Sequence, residues 1–135
     1  MMLTLFTETV IDSCHMLSGY DGLCKNMHGH SWLIKLWFKG DSKYKDEVGI
    51  LVDFGIVKEL KEWLDHQYIN DKIIEQLKNI GYKDTDYCNP TAENLSHIIY
   101  NFLTEKINNK EIQVKVRIYE TAVLKKTYCE CGDFE

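Results

Sequence analysis

The chain has 135 residues, with 16 Lys+Arg against 21 Asp+Glu and a formal net charge of −5. At 44% hydrophobic and 27% charged residues, its composition is that of a folded globular protein and excludes a disordered chain. The single proline and the absence of a low-complexity tract predict one domain over residues 1–135. The cations are scattered along an acidic chain, so we expect no nucleic-acid partner.

The chain start lacks a basic segment followed by a long apolar run, and no window reaches 18 consecutive apolar residues. We therefore expect a cytoplasmic protein with no membrane partner. The five cysteines are odd in number and irregularly spaced, which disfavours a disulfide framework in a reducing compartment. They are Cys14, Cys24, Cys88, Cys129 and Cys131.

Two strands are predicted near the start of the chain. The residues before Cys14 alternate loosely, residues 18–22 are a loop by their Gly and Asp content, and residues 28–39 alternate strongly. In this second strand His28 and His30 lie on the same face as an apolar row. That row is Trp32, Ile34, Leu36 and Phe38.

Helical patterns follow. Asp53 is expected to cap a first helix, a short helical piece ends at Gly81, and Thr91 is expected to cap a longer helix. The apolar side of the first helix is predicted to contain Phe54, Val57, Leu60 and Leu64, that of the short piece Ile73, Ile74, Leu77 and Ile80, and that of the last helix Leu95, Ile98, Ile99, Phe102 and Leu103.

Residues 113–120 alternate as a third strand, and residues 125–129 are a weak fourth. The order ββααββ predicts an α+β fold with a four-stranded antiparallel sheet and helices on one face. An open sheet leaves two edges, which subunits can hide by joining their sheets. We therefore expect an oligomer.

A metal site is predicted where the first two strands meet. His28 and His30 are two apart on a strand and project to one face about 6.6 Å apart, and His15 ends the preceding strand. Three histidines with one open position are typical of a catalytic zinc site, whereas a structural site has four protein ligands. Cys24 leaves the second alternative open, because it could be the fourth ligand.

Three further residues are candidates for acid–base chemistry. Asp65 can fix the tautomer of the adjacent His66 if the chain leaves the helix there; otherwise the pair is a solvated helix end. Cys24 lies in a polar context, and its thiolate fraction would rise beside a cation.

A cysteine pair in the tail, Cys129 and Cys131, is interpreted as inert, with metal binding as the alternative.

Glu120 extends the apolar row of the third strand, so the alternation predicts that its carboxylate points inward. A buried carboxylate needs a partner, and its two oxygens could accept two N–H bonds from an amino-pyrimidinone ring edge. The alternative is an end-of-strand residue that turns to solvent.

Six segments together resemble the 6-pyruvoyl-tetrahydropterin synthase and 6-carboxytetrahydropterin synthase family. Over about 110 residues they are Cys14-His15, Cys24-Lys25-Asn26-Met27-His28-Gly29-His30, Val52-Asp53-Phe54, Leu64-Asp65-His66-Gln67-Tyr68-Ile69-Asn70, Pro90-Thr91-Ala92-Glu93-Asn94 and Val116-Arg117-Ile118-Tyr119-Glu120-Thr121. The three-residue spacer between Cys24 and His28 resembles the bacterial, carboxy-forming branch. Ser13-Cys14 before His15 departs from the small residues usual there, and Cys14 could reach the metal.

The resemblance implies a tunnelling fold, commonly a hexamer of two trimers whose sheets join into barrels. It implies that zinc is bound by three histidines, that one cysteine is the general base with an Asp–His relay, and that a glutamate anchors a pterin with help from a Thr–Glu segment. Carried onto this sequence, the resemblance implies that the zinc ligands would be His15, His28 and His30, the catalytic residues Cys24, Asp65 and His66, and the substrate-binding residues Glu120, Thr91 and Glu93. The implied reaction converts 7,8-dihydroneopterin triphosphate to 6-carboxytetrahydropterin for queuosine synthesis. Pyruvoyl-forming activity and a non-catalytic zinc- or pterin-binding domain are the alternatives.

Overall fold

The computed structural model describes residues 1–83 and 86–135, and its centre is an antiparallel sheet with strand order β1-β2-β3-β4. The strands are β1 (Met2–His15), β2 (His28–Asp41), β3 (Gln113–Tyr119) and β4 (Cys129–Gly132). The predicted sheet is confirmed. The predicted position of its last strand is wrong, because the chain turns before it. Lys125 has a φ of 50° and its N–H donates to the carbonyl of Thr121 at 3.1 Å, so pairing starts only at Cys129.

Among the described residues, two long and two short α-helices lie between β2 and β3. They are α1 (Gly55–Leu64), α2 (Ile69–Lys72), α3 (Ile74–Asn79) and α4 (Ala92–Ile107). The pattern ββααββ thus holds for the long helices, while α2 and α3 form an added connection. They are separated at Ile73, which is completely buried and leaves helical geometry with φ −122° and ψ 16°.

The caps differ in how well the sequence predicted them. The Thr91 side chain accepts a hydrogen bond from the Asn94 N–H at 3.1 Å, so the predicted cap of α4 is confirmed. At α1, Asp53 accepts from the Gly55 N–H at 2.8 Å but stands one residue before the capping position, which Phe54 occupies. Phe54 is therefore exposed at the helix start instead of lying on the apolar side of α1.

The core lies between one face of the sheet and the helices. Side chains from β2 and β3 on this face meet α1 and α4, and burial of this apolar surface is the main stabilising contribution to the fold. Its fully buried members include Trp32, Ile34, Leu36, Phe38, Leu60, Leu64, Leu95, Ile99, Leu103, Val114 and Val116. None of the helices in the described ranges is long and apolar enough to span a membrane.

Candidate active site

Three histidines converge at the end of the hairpin formed by β1 and β2. His15 pairs with His28 across the two strands, and His30 is two residues further along β2 on the same face. One ligand atom from each ring lies within 4.8 Å of the others. This short separation suits one cation bound by three imidazoles.

Backbone carbonyls fix the tautomers of two of these rings. The Nδ1–H of His15 donates to the carbonyl of Pro90 at 2.8 Å, and that of His28 donates to the carbonyl of Asn26 at 2.7 Å. A carbonyl can only accept, so each ring presents its bare Nε2 to the interior, as a metal-binding histidine with an outer partner does.

The three Nε2 atoms are buried and make no hydrogen bond to any described residue. Leaving buried polar atoms without partners is costly, so the arrangement fits a bound cation. Burial lowers the pKa of His15 to about 4, an effect that the Pro90 carbonyl opposes and the neighbouring His28 and His30 reinforce. Burial also lowers the pKa of His30, although the Glu120 carboxylate opposes this. His15 is therefore neutral near pH 7, and the lowered pKa of His30 favours its neutral form, which is the form that coordinates a metal.

Neither nearby cysteine belongs to this histidine group. Cys24 lies in a 3-10 turn, Leu23–Lys25, just before β2, and its carbonyl accepts from the Leu17 N–H at 2.9 Å. Cys14 is on the opposite face of β1 from His15, and its Sγ lies 3.7 Å from the carbonyl of Gln67. The geometry thus brings three histidines together without a fourth candidate ligand in the described chain, and a partly buried thiol lies on the adjoining turn.

Asp65 and His66 form a direct pair at the end of α1. The Nδ1 of His66 lies 2.9 Å from Oδ2 of Asp65, because the chain leaves the helix at Asp65 and His66 adopts a left-handed φ of 56°. The other carboxylate oxygen accepts from the Asp12 N–H at 2.9 Å, and this bond is the main reason that the pKa of Asp65 is lowered. The non-helical turn that the pairing requires is present.

This pair is docked on the outer edge of β1. The His66 N–H donates to the carbonyl of Asp12 at 2.7 Å, and the Cys14 N–H donates to the carbonyl of Gln67 at 3.1 Å. The His66 ring nevertheless stays 78% exposed. Within the described part of the chain, no hydrogen bond or ion pair joins it to Cys24.

Glu120 follows β3 and lies beside the histidines. Its Oε2 is 3.8 Å from the Nε2 of His30, and its side chain is 40% exposed. The carboxylate therefore lies near His30, as the strand alternation predicted, and is also partly exposed, as the alternative predicted.

The Thr91–Glu93 segment reaches the site through its neighbour. The Pro90 carbonyl accepts a hydrogen bond from His15, Thr91 caps α4, and Glu93 is exposed in the first turn of that helix. Sequence reasoning did not identify the carbonyls of Pro90 and Asn26 as partners of the histidines, because backbone groups leave no side-chain signal. It also missed that the Trp32 indole packs edge-on to His15 and His30, with ring centroids at 4.8 and 5.1 Å.

The sheet, its helical layer and the position of the histidines define a tunnelling-fold protein. The solved structure of Caenorhabditis elegans 6-pyruvoyl tetrahydropterin synthase superposes with a TM-score of 0.70 at 20% identity, covering 98% of this chain and 96% of that one. The sequence model of the 6-pyruvoyl tetrahydropterin synthase family matches residues 4–131, and the chain belongs to this family. The expected family resemblance is confirmed, and with it the expectation that the chain is an enzyme.

Two bacterial relatives illustrate the similarity. The 6-carboxy-5,6,7,8-tetrahydropterin synthase of Rickettsia bellii is 30% identical over 123 residues, which cover 82% of this chain and 88% of that protein. The protein of the same name from Aquifex aeolicus is 32% identical over 126 residues, with 79% and 76% coverage.

Proposed function

We propose that the chain is a zinc-dependent lyase that converts 7,8-dihydroneopterin triphosphate and water to 6-carboxy-5,6,7,8-tetrahydropterin, acetaldehyde and triphosphate. The observation that carries the proposal is the convergence of three buried Nε2 atoms that lack hydrogen-bond partners in the described chain, with the Glu120 carboxylate 3.8 Å from that of His30. The names of the bacterial relatives support the carboxy-forming reaction. A place in queuosine synthesis is part of the same proposal.

His15, His28 and His30 are proposed to bind the zinc through Nε2. When bound, zinc would supply the charge that lowers the pKa of the substrate's side-chain hydroxyls, as it lowers that of bound water to about 7. The carbonyls of Pro90 and Asn26 support this role, because they hold His15 and His28 in the required tautomer.

Cys24 is proposed as the general base that removes the proton beside the pterin ring. It is separate from the histidine group and partly buried, which leaves its thiol free for proton transfer. Loss of that proton lets triphosphate leave, and cleavage of the side-chain carbon–carbon bond with addition of water releases acetaldehyde.

Asp65 and His66 are proposed as the relay that returns protons to the site. Since the ring of His66 is exposed and has no bond to Cys24 in the described chain, we propose that the relay reaches the Cys24 of a second copy. Large apolar side chains near Cys24 and Glu120 are exposed and would be covered by such a copy. They are Leu23, Met27, Val123 and Leu124. A hexamer of two trimers is the assembly that we propose.

Glu120 is proposed to anchor the pterin by accepting two N–H bonds from its amino-pyrimidinone edge. The side chain is accessible and lies 3.8 Å from His30, so an anchored ring would lie next to the cation. Thr91 and Glu93 are proposed to contribute at the subunit boundary. All five cysteines are free thiols, which supports the proposed cytoplasmic location.

The product decides between the two enzymatic alternatives. We expect the purified, zinc-loaded protein to release acetaldehyde from dihydroneopterin triphosphate and to yield the carboxy product by mass spectrometry. A pyruvoyl product without acetaldehyde would instead assign the other activity of the family.

Replacement of Cys24 decides between enzyme and non-catalytic domain. Cys24→Ala should lower turnover by about 10²- to 10⁴-fold, the usual contribution of general base catalysis, while zinc content and melting temperature are retained. Cys131→Ala, which removes another partly buried thiol on β4, is the matched control and should keep activity. Loss of zinc and stability in Cys24→Ala would mean a structural four-ligand site.

A further inference from the structure

The face of the sheet opposite the histidines carries a cluster of cations, named here the basic face. It consists of Lys35 and Lys39 on β2 and of Lys115 and Arg117 on β3. The register places Lys35 directly opposite Arg117, and like charges directly opposite across strands are destabilising. The linear sequence separates these residues, and the sheet brings them together.

Aromatic rings, more than carboxylates, neighbour these cations. The ammonium of Lys115 lies 4.4 Å from the Trp37 ring centroid and 5.2 Å from that of Phe134. The Arg117 guanidinium carbon lies 5.3 Å from the Trp37 centroid, and the ammonium of Lys39 lies 5.5 Å from that of Phe134. Because they share these rings, the cations are held close to one another.

Acidic groups neutralise only part of the positive charge of the basic face. Arg117 forms an ion pair with Glu130 at 2.7 Å. Lys115 is only 9% exposed, and among residues 1–83 and 86–135 it has no carboxylate partner within 4 Å. Glu8 is opposite Lys35 in register without forming an ion pair in the same part of the chain. The basic face thus retains excess positive charge, which cation–π contacts only partly offset.

We propose that the basic face binds a small polyphosphate anion of the inorganic triphosphate class. Clustered Lys and Arg favour phosphate oxygens, and the guanidinium can bind them in bidentate fashion. A long polyanion such as nucleic acid is disfavoured, because the chain has a net charge of −5 and the ring faces already hold cations. The triphosphate released in the proposed reaction belongs to this class, and to that extent the inference rests on the proposed function.

The test is calorimetric titration of the full-length, zinc-loaded protein with inorganic triphosphate, pyrophosphate and phosphate at several salt concentrations. We expect saturable binding that strengthens with anion charge and weakens with added salt. No saturable binding at low salt, or equal affinity for phosphate and triphosphate, would overturn the proposal. Turnover is not measured, so failure of the proposed reaction would leave this result intact.

Variants locate the site. Lys115→Met keeps the aliphatic stem between the rings and should weaken triphosphate binding by at least about tenfold. Lys39→Met is a second variant, to be used if the Lys115→Met protein does not fold. Glu130→Gln should tighten binding, because it removes the carboxylate that competes for Arg117. Lys58→Met, on an exposed part of α1, is the matched control and should change nothing.

His28→Ala separates the basic face from the proposed zinc site, since triphosphate can also bind a metal. Triphosphate affinity should persist in His28→Ala after its metal is removed. If instead His28→Ala abolishes binding and Lys115→Met leaves it unchanged, the anion binds at the histidines and the proposal is wrong.

Discussion

Asp65→Asn isolates the proposed proton relay with a change of very few atoms. In the structure one carboxylate oxygen accepts from the Asp12 backbone and the other pairs with Nδ1 of His66, both at 2.9 Å. An Asn side chain can keep the first bond through its amide oxygen. Its NH₂ group then faces Nδ1 and favours the opposite tautomer of the ring.

The expected magnitude follows from the single bond that is lost. A hydrogen bond to a charged group contributes about 1.5–3 kcal/mol, and each 1.36 kcal/mol in the barrier corresponds to about a tenfold change in rate. If the bond is needed as the imidazole gains its proton, kcat should fall by about 10- to 150-fold. The free energy of unfolding should fall by less, because the Asp12 contact remains.

The assay is acetaldehyde release at saturating substrate, with zinc content and melting temperature measured in parallel. Asp53→Asn is the matched control, since Asp53 also accepts a backbone N–H, that of Gly55 at 2.8 Å, but pairs with no histidine in the described chain. An unchanged kcat in Asp65→Asn, or an equal loss in Asp53→Asn, would refute the relay.

Three further predictions concern stability. Leu60→Ala removes a completely buried side chain and should lower the free energy of unfolding by about 2–5 kcal/mol in a urea titration; a loss under 1 kcal/mol would contradict the assigned core. Thr91→Ala removes the acceptor for the Asn94 N–H and should cost about 1 kcal/mol, whereas Thr91→Ser should restore most of it; equal melting temperatures of the three proteins would argue against the cap. The hydrogen bond from Tyr100 to Asp133, with burial, raises the pKa of Tyr100 to about 12. Because this pKa lies above the unfolded value of about 10, the contribution of Tyr100 to the free energy of unfolding is complete below pH 10 and is lost as the pH rises towards 12. Tyr100→Phe should remove this part of the alkaline destabilisation. Identical curves of stability against pH for the two proteins would show that Tyr100 makes no such contribution.

Residue alternation and strand order were enough to predict the sheet. The row from His28 to Phe38 alternates so regularly that its buried face could be assigned. Pairing of the first two strands through a hairpin loop predicted that His15 could join His28 and His30, and the register places it opposite His28. Local turn geometry was harder to predict from the sequence than the sheet. Lys125 and Ile73 leave regular structure for reasons of packing and turn formation that periodicity does not encode.

In the candidate site, too, some features could be predicted from the sequence and others could not. The histidine cluster was predictable, because strand spacing determines it. The docking of His66 on β1 was not, since it depends on the backbone hydrogen bonds from His66 to Asp12 and from Cys14 to Gln67. The basic face was also missed, because Lys35 and Arg117 are far apart in the chain and become neighbours only through the register of β2 and β3.

The left-handed turn at His66 has a consequence for protein engineering. Glycine adopts a φ of 56° freely, whereas a residue with a Cβ meets a steric penalty there that histidine and asparagine tolerate better than most. A search for thermal stability would therefore favour His66→Gly. The same substitution would delete the imidazole, so the most stable sequence at this position and the most active one are expected to differ.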